Sequence, residues 1–233
     1  MTPSLNITKA CEFLLLGDSH AAAIGRAARE MGIDFAGGPL GSGREFNVGF
    51  YRWQGQDLEF KAKRSQELYR KFLEDCAVSS VAELDKPVVC TFGLGLHFFA
   101  TTENWDIYRD DSGLFADGFL QGPLFADLIA AMAEDAIRFY GDLADRNIRV
   151  FAVLPPQRVP DLSEPDVFLA AQEVMMARLK AVGADIIDVR TVACDETGWQ
   201  KPEFAQQGDP LHGNAAFGRL VLETLLPRMR QAA

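Results

Sequence analysis

Five short apolar runs, at residues 13–16, 33–35, 88–92, 150–154 and 186–189, constrain this chain more than any other feature. Helix-like segments lie next to most of them. Residues 21–31 are rich in helix formers and end near Gly32. Residues 124–143 place Leu128, Ile129, Met132, Ile137, Phe139 and Tyr140 near the period of about 3.6 expected of a helix. Residues 166–182 stop at Gly183, and 215–229 form the last helical candidate. Strands that alternate with helices pair in parallel and are covered on both faces, so the expected class is α/β.

Two segments break the alternation. Residues 44–85 contain "FNVGFYRWQGQDLEFKAKRS", which reads as a hairpin turning near Gln54-Gly55-Gln56 and followed by a helix. Residues 98–123 are rich in aromatics, Gly and Asp, and a loop of that length in a compact domain is functional or mobile. With no internal repeat and no linker, the 233 residues read as one domain with insertions at about 44–85 and 98–123.

Acidic residues outnumber basic ones by 33 to 23, for a net charge of -10. That balance argues against a nucleic-acid binder and against a polybasic membrane patch. No apolar run nears the roughly 18 residues that span a bilayer. The N-terminal stretch reads as a strand rather than a signal peptide, so the expected location is the cytoplasm. Cys11, Cys76, Cys90 and Cys194 are scattered without CxxC spacing, so neither paired metal ligands nor a disulfide framework is expected. Cys90, inside "VVCTF", reads as a core residue.

The stretch "FLLLGDSHAAAIGRA", residues 13–27, puts Ser19 on the bend between the first strand and the first helix. The carboxyl ends of parallel strands are where ligands bind, and free helix N–H groups there face a developing anion. Ser19 or Asp18 alternatively caps the helix. A serine hydroxyl needs a base, and the chain has only three histidines: His20, His97 and His212. His212 lies in "GDPLHGNAAFGRLV", three residues after Asp209, a spacing that lets the carboxylate orient the imidazole.

Residues 13–20 and 209–220, with the order of strands and helices between them, resemble the GDSL/SGNH hydrolase superfamily. "VFAVLPPQRVP", residues 150–160, is similar to that family's fourth strand and its proline-containing exit. The resemblance implies a three-layer α/β/α flavodoxin-like fold with a mostly parallel five-stranded sheet. It implies Ser19 as nucleophile, His212 as base and Asp209 as its orienting carboxylate. The family's second block supplies an oxyanion-hole glycine, and here "GGPLGSGR" offers Gly37, Gly38, Gly41 and Gly43, position favouring Gly41 or Gly43. The third block is normally Gly-x-Asn. Gly93 fits its glycine, but Gly95 stands where the Asn side chain would donate. His97, two residues on, either supplies that donor or packs in the wall; if the strand continued, it would face the same side as Gly95.

His20 replaces the family's leucine and reads as structural rather than catalytic. Arg44 and Arg158 hold an anionic group or solvate the rim. Phe98, Phe99, Trp105, Tyr108, Phe115 and Phe119 line an acyl or sugar pocket or bury the long loop. The expected activity is hydrolysis of a carboxylic ester through an acyl-enzyme on Ser19. The substrate would be a small-molecule acyl ester or an acylated carbohydrate, such as a sugar O-acetyl group, with no metal or organic cofactor. Two alternatives stand beside it: an O-acyltransferase with the same triad, and a non-catalytic member that binds an acylated or glycosylated ligand.

Overall fold

The computed structural model describes residues 11–231. Residues 1–10, which carry most of the segment weighed as a signal peptide, lie outside the described residues. Five strands form one parallel sheet: β1 (Leu14–Gly17), β2 (Ala36–Pro39), β5 (Val88–Cys90), β6 (Val150–Val153) and β7 (Asp185–Ile187), in the order β2-β1-β5-β6-β7. Leu14 aligns with Ala36 on one side and Val88 on the other, Val88 aligns with Val150, and Phe151 aligns with Asp185. The chain therefore reverses its direction of winding between β1 and β5. In such sheets the crevice at that switch is where ligands bind, so the residues just after these two strands are the ones to inspect.

Alternation of side chains sends Leu14, Leu16, Val88, Cys90, Val150 and Ala152 to one face and Phe13, Leu15, Val89, Phe151 and Val153 to the other. The first face is covered by α2 (Lys63–Asp75), α3 (Pro123–Met132), α4 (Glu134–Ala144) and α5 (Pro165–Ala181), through residues such as Tyr69, Ile129, Phe139 and Met175. The second face is covered by α1 (Ala21–Glu30) and α7 (Ala215–Arg230), with the short α6 (Arg190–Ala193) beside them. This is a three-layer α/β/α fold. The contact between α1 and α7 is very close: a Cβ added at Gly218 would lie 2.1 Å from the carbonyl oxygen of Ala23. Both contact points fall in the first turn of their helices, so the residues preceding α1 and those preceding α7 are carried to one place.

Several boundaries differ from the sequence reading. The second strand is not the apolar run at 33–35 but the following Ala36–Pro39, which contains two glycines and a proline. Phe35 stacks on Phe13 at 5.5 Å beneath α1, and Gly37 passes so close to Leu15 that a Cβ would meet its carbonyl at 2.0 Å. Hydrophobicity therefore marks the approach to this edge strand and not the strand itself. The helix expected over 124–143 is divided at Ala133. Glu134 and Asp135 fall in the first turn of the new helix, where negative charge is favoured, and Asp135 accepts bonds from the Gly49 amide and Arg138. The third expected strand, 88–92, leaves the sheet after Cys90.

The hairpin is β3 (Tyr51–Gln54) paired antiparallel with β4 (Asp57–Phe60), with Gly55 at φ +66° opening a two-residue turn. It forms its own small sheet and inserts Tyr51 and Phe60 into a ring cluster with Phe50, Phe92 and Phe139. The aromatic stretch after β5 folds as a series of short 3-10 turns rather than an open loop. Trp105 is buried and donates its indole N–H to the Phe99 carbonyl at 2.7 Å, while Phe119 stacks on both Tyr108 and Phe115. Most of these aromatics bury the segment, and Phe98 lines a cavity. Among the described residues no helix is long and apolar enough to cross a membrane.

Candidate active site

At the end of β1 the turn is held by Asp18, which is 1% exposed. Its Oδ1 accepts the Thr91 hydroxyl at 2.8 Å and the His20 N–H at 3.0 Å, and its own N–H donates to Thr91 Oγ1 at 3.1 Å. Thr91 is the first residue past β5, so this lock joins the two strands that flank the switch point. With Asp18 serving the turn, no side chain caps α1 at its N-cap residue His20. The Ser19 hydroxyl is directed elsewhere: its Oγ lies 2.7 Å from His212 Nε2.

His212 Nδ1 lies 2.8 Å from Asp209 Oδ2. The other oxygen, Oδ1, accepts the backbone N–H groups of Leu211 at 2.7 Å and His212 at 2.8 Å. Burial alone would raise the pKa of Asp209; these two amides and the His212 side chain outweigh it and hold the carboxyl at about 2. It is therefore a carboxylate at neutral pH, aimed at the imidazole. The loop is pinned from outside. Arg158 Nη1 donates to the His212 carbonyl at 3.2 Å, as does Gln206 N at 2.9 Å. Asn214 caps α7 by accepting from Phe217 N at 3.1 Å, and its amide donates to the carbonyls of Glu203 and Ala205. Arg158 is thus neither a free surface cation nor a bare anion site but a clamp on the histidine loop.

All three histidines gather here. The His20 ring is 5.0 Å from that of His212, tilted by 41°, and only 8% exposed. His97 follows β5 in a 3-10 turn (Leu96–Phe98), not in a continuing strand, so simple alternation with Gly95 does not apply. Its ring nevertheless folds back towards that position: a Cβ built on Gly95 would lie 3.5 Å from His97 Cε1. The space an Asn side chain would enter from residue 95 is bordered by the imidazole. Burial, together with His20, His212 and Arg44 nearby, depresses the His97 pKa to about 4. Burial lowers that of His20 as well, with His212 acting in the same direction and Asp18 and Asp209 opposing.

The remaining glycines separate by their surroundings. A Cβ on Gly43 would lie 3.4 Å from Asp18 Oδ2 and 2.8 Å from Phe98, which places Gly43 beside the serine turn. Gly41 instead faces Glu45 and Phe46 of its own 3-10 turn. Gly93, at φ +70°, approaches α4 so closely that a Cβ would sit 2.1 Å from that of Ala136. Ser19, His20, Arg26, Asp209 and His212 line a cavity of about 240 Å³. Phe98, which reaches both Gly43 and Gly95, lines another of about 730 Å³ with Arg44, Asn47, Thr101 and Asn104. A larger groove of about 830 Å³, bordered by α3 and α5, contains none of these side chains. Among the described residues no group of three or more His, Cys, Asp or Glu side chains is arranged to hold a metal ion.

Keeping the buried His20 and the half-buried His97 neutral has a sign that can be tested. In the unfolded chain a histidine titrates near about 6.5, so unfolding takes up protons wherever the folded value is lower. The stability contributed by a neutral His97 is full above about 6.5. It is lost as pH falls towards its folded value of about 4. We expect Tm, followed by calorimetry, to decline over that window, and His97→Gln to make the decline shallower. An unchanged slope in the variant would show that His97 is not the group responsible.

No protein-family model and no curated protein matches the chain. Solved structures share its fold. One, from Streptococcus pneumonia and described provisionally as a platelet activating factor, is 11% identical, with a TM-score of 0.51 over 97% of this chain and 86% of that one. A GDSL-like lipase from Bacteroides thetaiotaomicron is 14% identical, with a TM-score of 0.47 over 100% of this chain and 93% of that one. A protein from Slackia heliotrinireducens, provisionally an SGNH hydrolase, is 13% identical, with a TM-score of 0.49 over 95% and 99%. At these identities the likeness is one of fold alone.

Proposed function

We propose that this chain is a serine hydrolase of the GDSL/SGNH type, which cleaves a carboxylic ester through an acyl-enzyme on Ser19. The observation that carries this reading is the unbroken chain from Ser19 Oγ to His212 Nε2 at 2.7 Å and from His212 Nδ1 to Asp209 Oδ2 at 2.8 Å. His212 takes the hydroxyl proton as Oγ attacks the acyl carbonyl, then returns it to the leaving alcohol. Asp209 fixes the tautomer, with Nδ1 protonated, and stabilises the imidazolium. Water, activated by the same base, releases the acid.

The oxyanion is bound in this reading by the backbone N–H groups of Ser19 and Gly43, joined by the His97 imidazole in the space left open at Gly95. Gly43 is favoured over Gly41 by its position beside the serine turn. A neutral imidazole still carries one N–H, so the low pKa of His97 is compatible with donation. Removing one side-chain donor typically costs about 100- to 1,000-fold in turnover. We expect His97→Ala to lower kcat by about 100-fold with a smaller change in KM, because the bond matters most in the transition state. Near-normal kcat in a folded His97→Ala protein would leave an oxyanion hole of backbone N–H groups alone.

The substrate class fits a small acyl ester, with an acylated carbohydrate as one form. The cavity beside Phe98 joins an aromatic face to Arg44, Asn47 and threonine side chains, which suits an alcohol portion bearing several hydroxyls. The test of the activity is labelling by an alkyl fluorophosphonate, followed by a screen of short acyl esters of sugars and of simple alcohols. A folded wild-type protein that neither takes up the probe nor hydrolyses any ester would refute the proposal.

A further inference from the structure

The four cysteines show no pairing signal in sequence, and a disulfide was not expected from their spacing. The fold brings two of them together. Cys11 enters β1 and is buried; Cys76 ends α2 and is half-buried. Their sulfurs are 3.2 Å apart, with the Cys76 thiol donating to Cys11. A disulfide needs about 2.05 Å, so the remaining gap is near one ångström. Both ends are held by backbone. Cys76 N–H bonds the carbonyls of Phe72 and Leu73, and Ala77, at φ +58°, turns the chain out of the helix. Cys11 precedes a strand paired on both sides.

The other two thiols differ. Burial pushes Cys90 up to about 12 and raises Cys194, so both stay protonated. For Cys11 the S–H of Cys76 lowers the thiol's pKa against burial, and a backbone group of Ala36 and the charge of Lys86 add to it, while its own S–H donates to the Phe13 carbonyl at 2.8 Å. Thiolate character and access govern oxidation. Here the thiol with the lowered pKa is Cys11, and the more accessible sulfur is that of its half-buried neighbour Cys76.

We infer that Cys11 and Cys76 form a redox-modification site, closed to a reversible disulfide by a hydroperoxide. The Cys11 thiolate attacks a peroxide oxygen, the O–O bond breaks, and hydroxide leaves and is protonated to water. The Cys76 sulfur then attacks the resulting sulfenic sulfur, giving its proton to the departing hydroxide as the S–S bond forms. Two thiols lose two electrons, and hydrogen peroxide leaves as two waters. The bond closes a loop that holds β1, the Ser19 turn, α1, β2 and the hairpin, so it restricts the unfolded chain strongly. The site lies outside the triad, and its effect is on stability.

The experiment treats the purified chain with hydrogen peroxide, alkylates the remaining thiols and maps the cysteine peptides by mass spectrometry. Free thiols are expected to fall from four to two, with a Cys11–Cys76 linked peptide that dithiothreitol cleaves. Tm should rise by about 5 °C or more on oxidation and return on reduction. Cys76→Ser, at the half-buried position, should fold, keep the reduced protein's turnover and show neither link nor rise; Cys11→Ser repeats the test from the other side. Four thiols left free, a link through Cys90 or Cys194, or sulfinic acid without a link would overturn the inference.

Discussion

Ser19→Ala is expected to abolish ester hydrolysis and fluorophosphonate labelling while leaving the protein folded. The hydroxyl bonds His212, and the helix it precedes has no side-chain cap to lose. The turn itself is secured by Asp18, Thr91 and backbone bonds from Ala21 and Ala22. Deleting one half-buried hydroxyl bond should then cost about 0.5–1.5 kcal/mol. Removing a nucleophile that works with a base and an oxyanion hole costs on the order of 10⁴- to 10⁶-fold in turnover. Hydrolysis rate and Tm measured on one preparation separate the two effects. Wild-type turnover in a folded Ser19→Ala protein would end the acyl-enzyme reading.

What the sequence made legible follows from how local each signal is. β1, β5 and β6 are buried on both faces and so read as unbroken apolar runs, whereas β2 is built of glycines pressed against Leu15 and carries no such mark. The hairpin was visible because Gly55 sits between two alternating segments. The break at Ala133 was not, because the apolar period runs straight through it. The same division holds at the site. Ser19, Asp209 and His212 are named by motifs a few residues long. Their meeting depends on α1 and α7 touching at Gly218 and Ala23, almost two hundred residues apart in the chain. The Asp18–Thr91 lock, the Arg158 clamp and the Cys11–Cys76 pair join residues 73, 54 and 65 positions apart, and nothing in either member announces the other. Asn214 was within reach: an Asn directly before a helix is an ordinary capping signal.

His212→Ala is expected to lose on the order of 10⁴- to 10⁶-fold in turnover, and Asp209→Asn about 10⁴-fold or less, with the double variant no worse than His212→Ala alone. The asymmetry comes from what each group does. In the proposed mechanism His212 moves the proton, so without it Ser19 would remain a weak nucleophile whatever surrounds it. Asp209 acts only through His212, by holding Nδ1–H at 2.8 Å and by offsetting the imidazolium charge. Asparagine is the sharper substitution than alanine at 209. Oδ1 also accepts the N–H groups of Leu211 and His212, and a side-chain carbonyl can keep those bonds while the charge is lost. With Arg158 and Gln206 still clamping the His212 carbonyl, the loop should stay in place. The activity lost in Asp209→Asn then measures orientation and charge rather than collapse. A carboxylate held at about 2 remains ionised throughout the pH range of an activity profile. Its removal should therefore also weaken the imidazolium and move the acid limb of the kcat/KM profile to lower pH. Independent, additive losses, or an acid limb that does not move, would mean that Asp209 and His212 do not work as one unit.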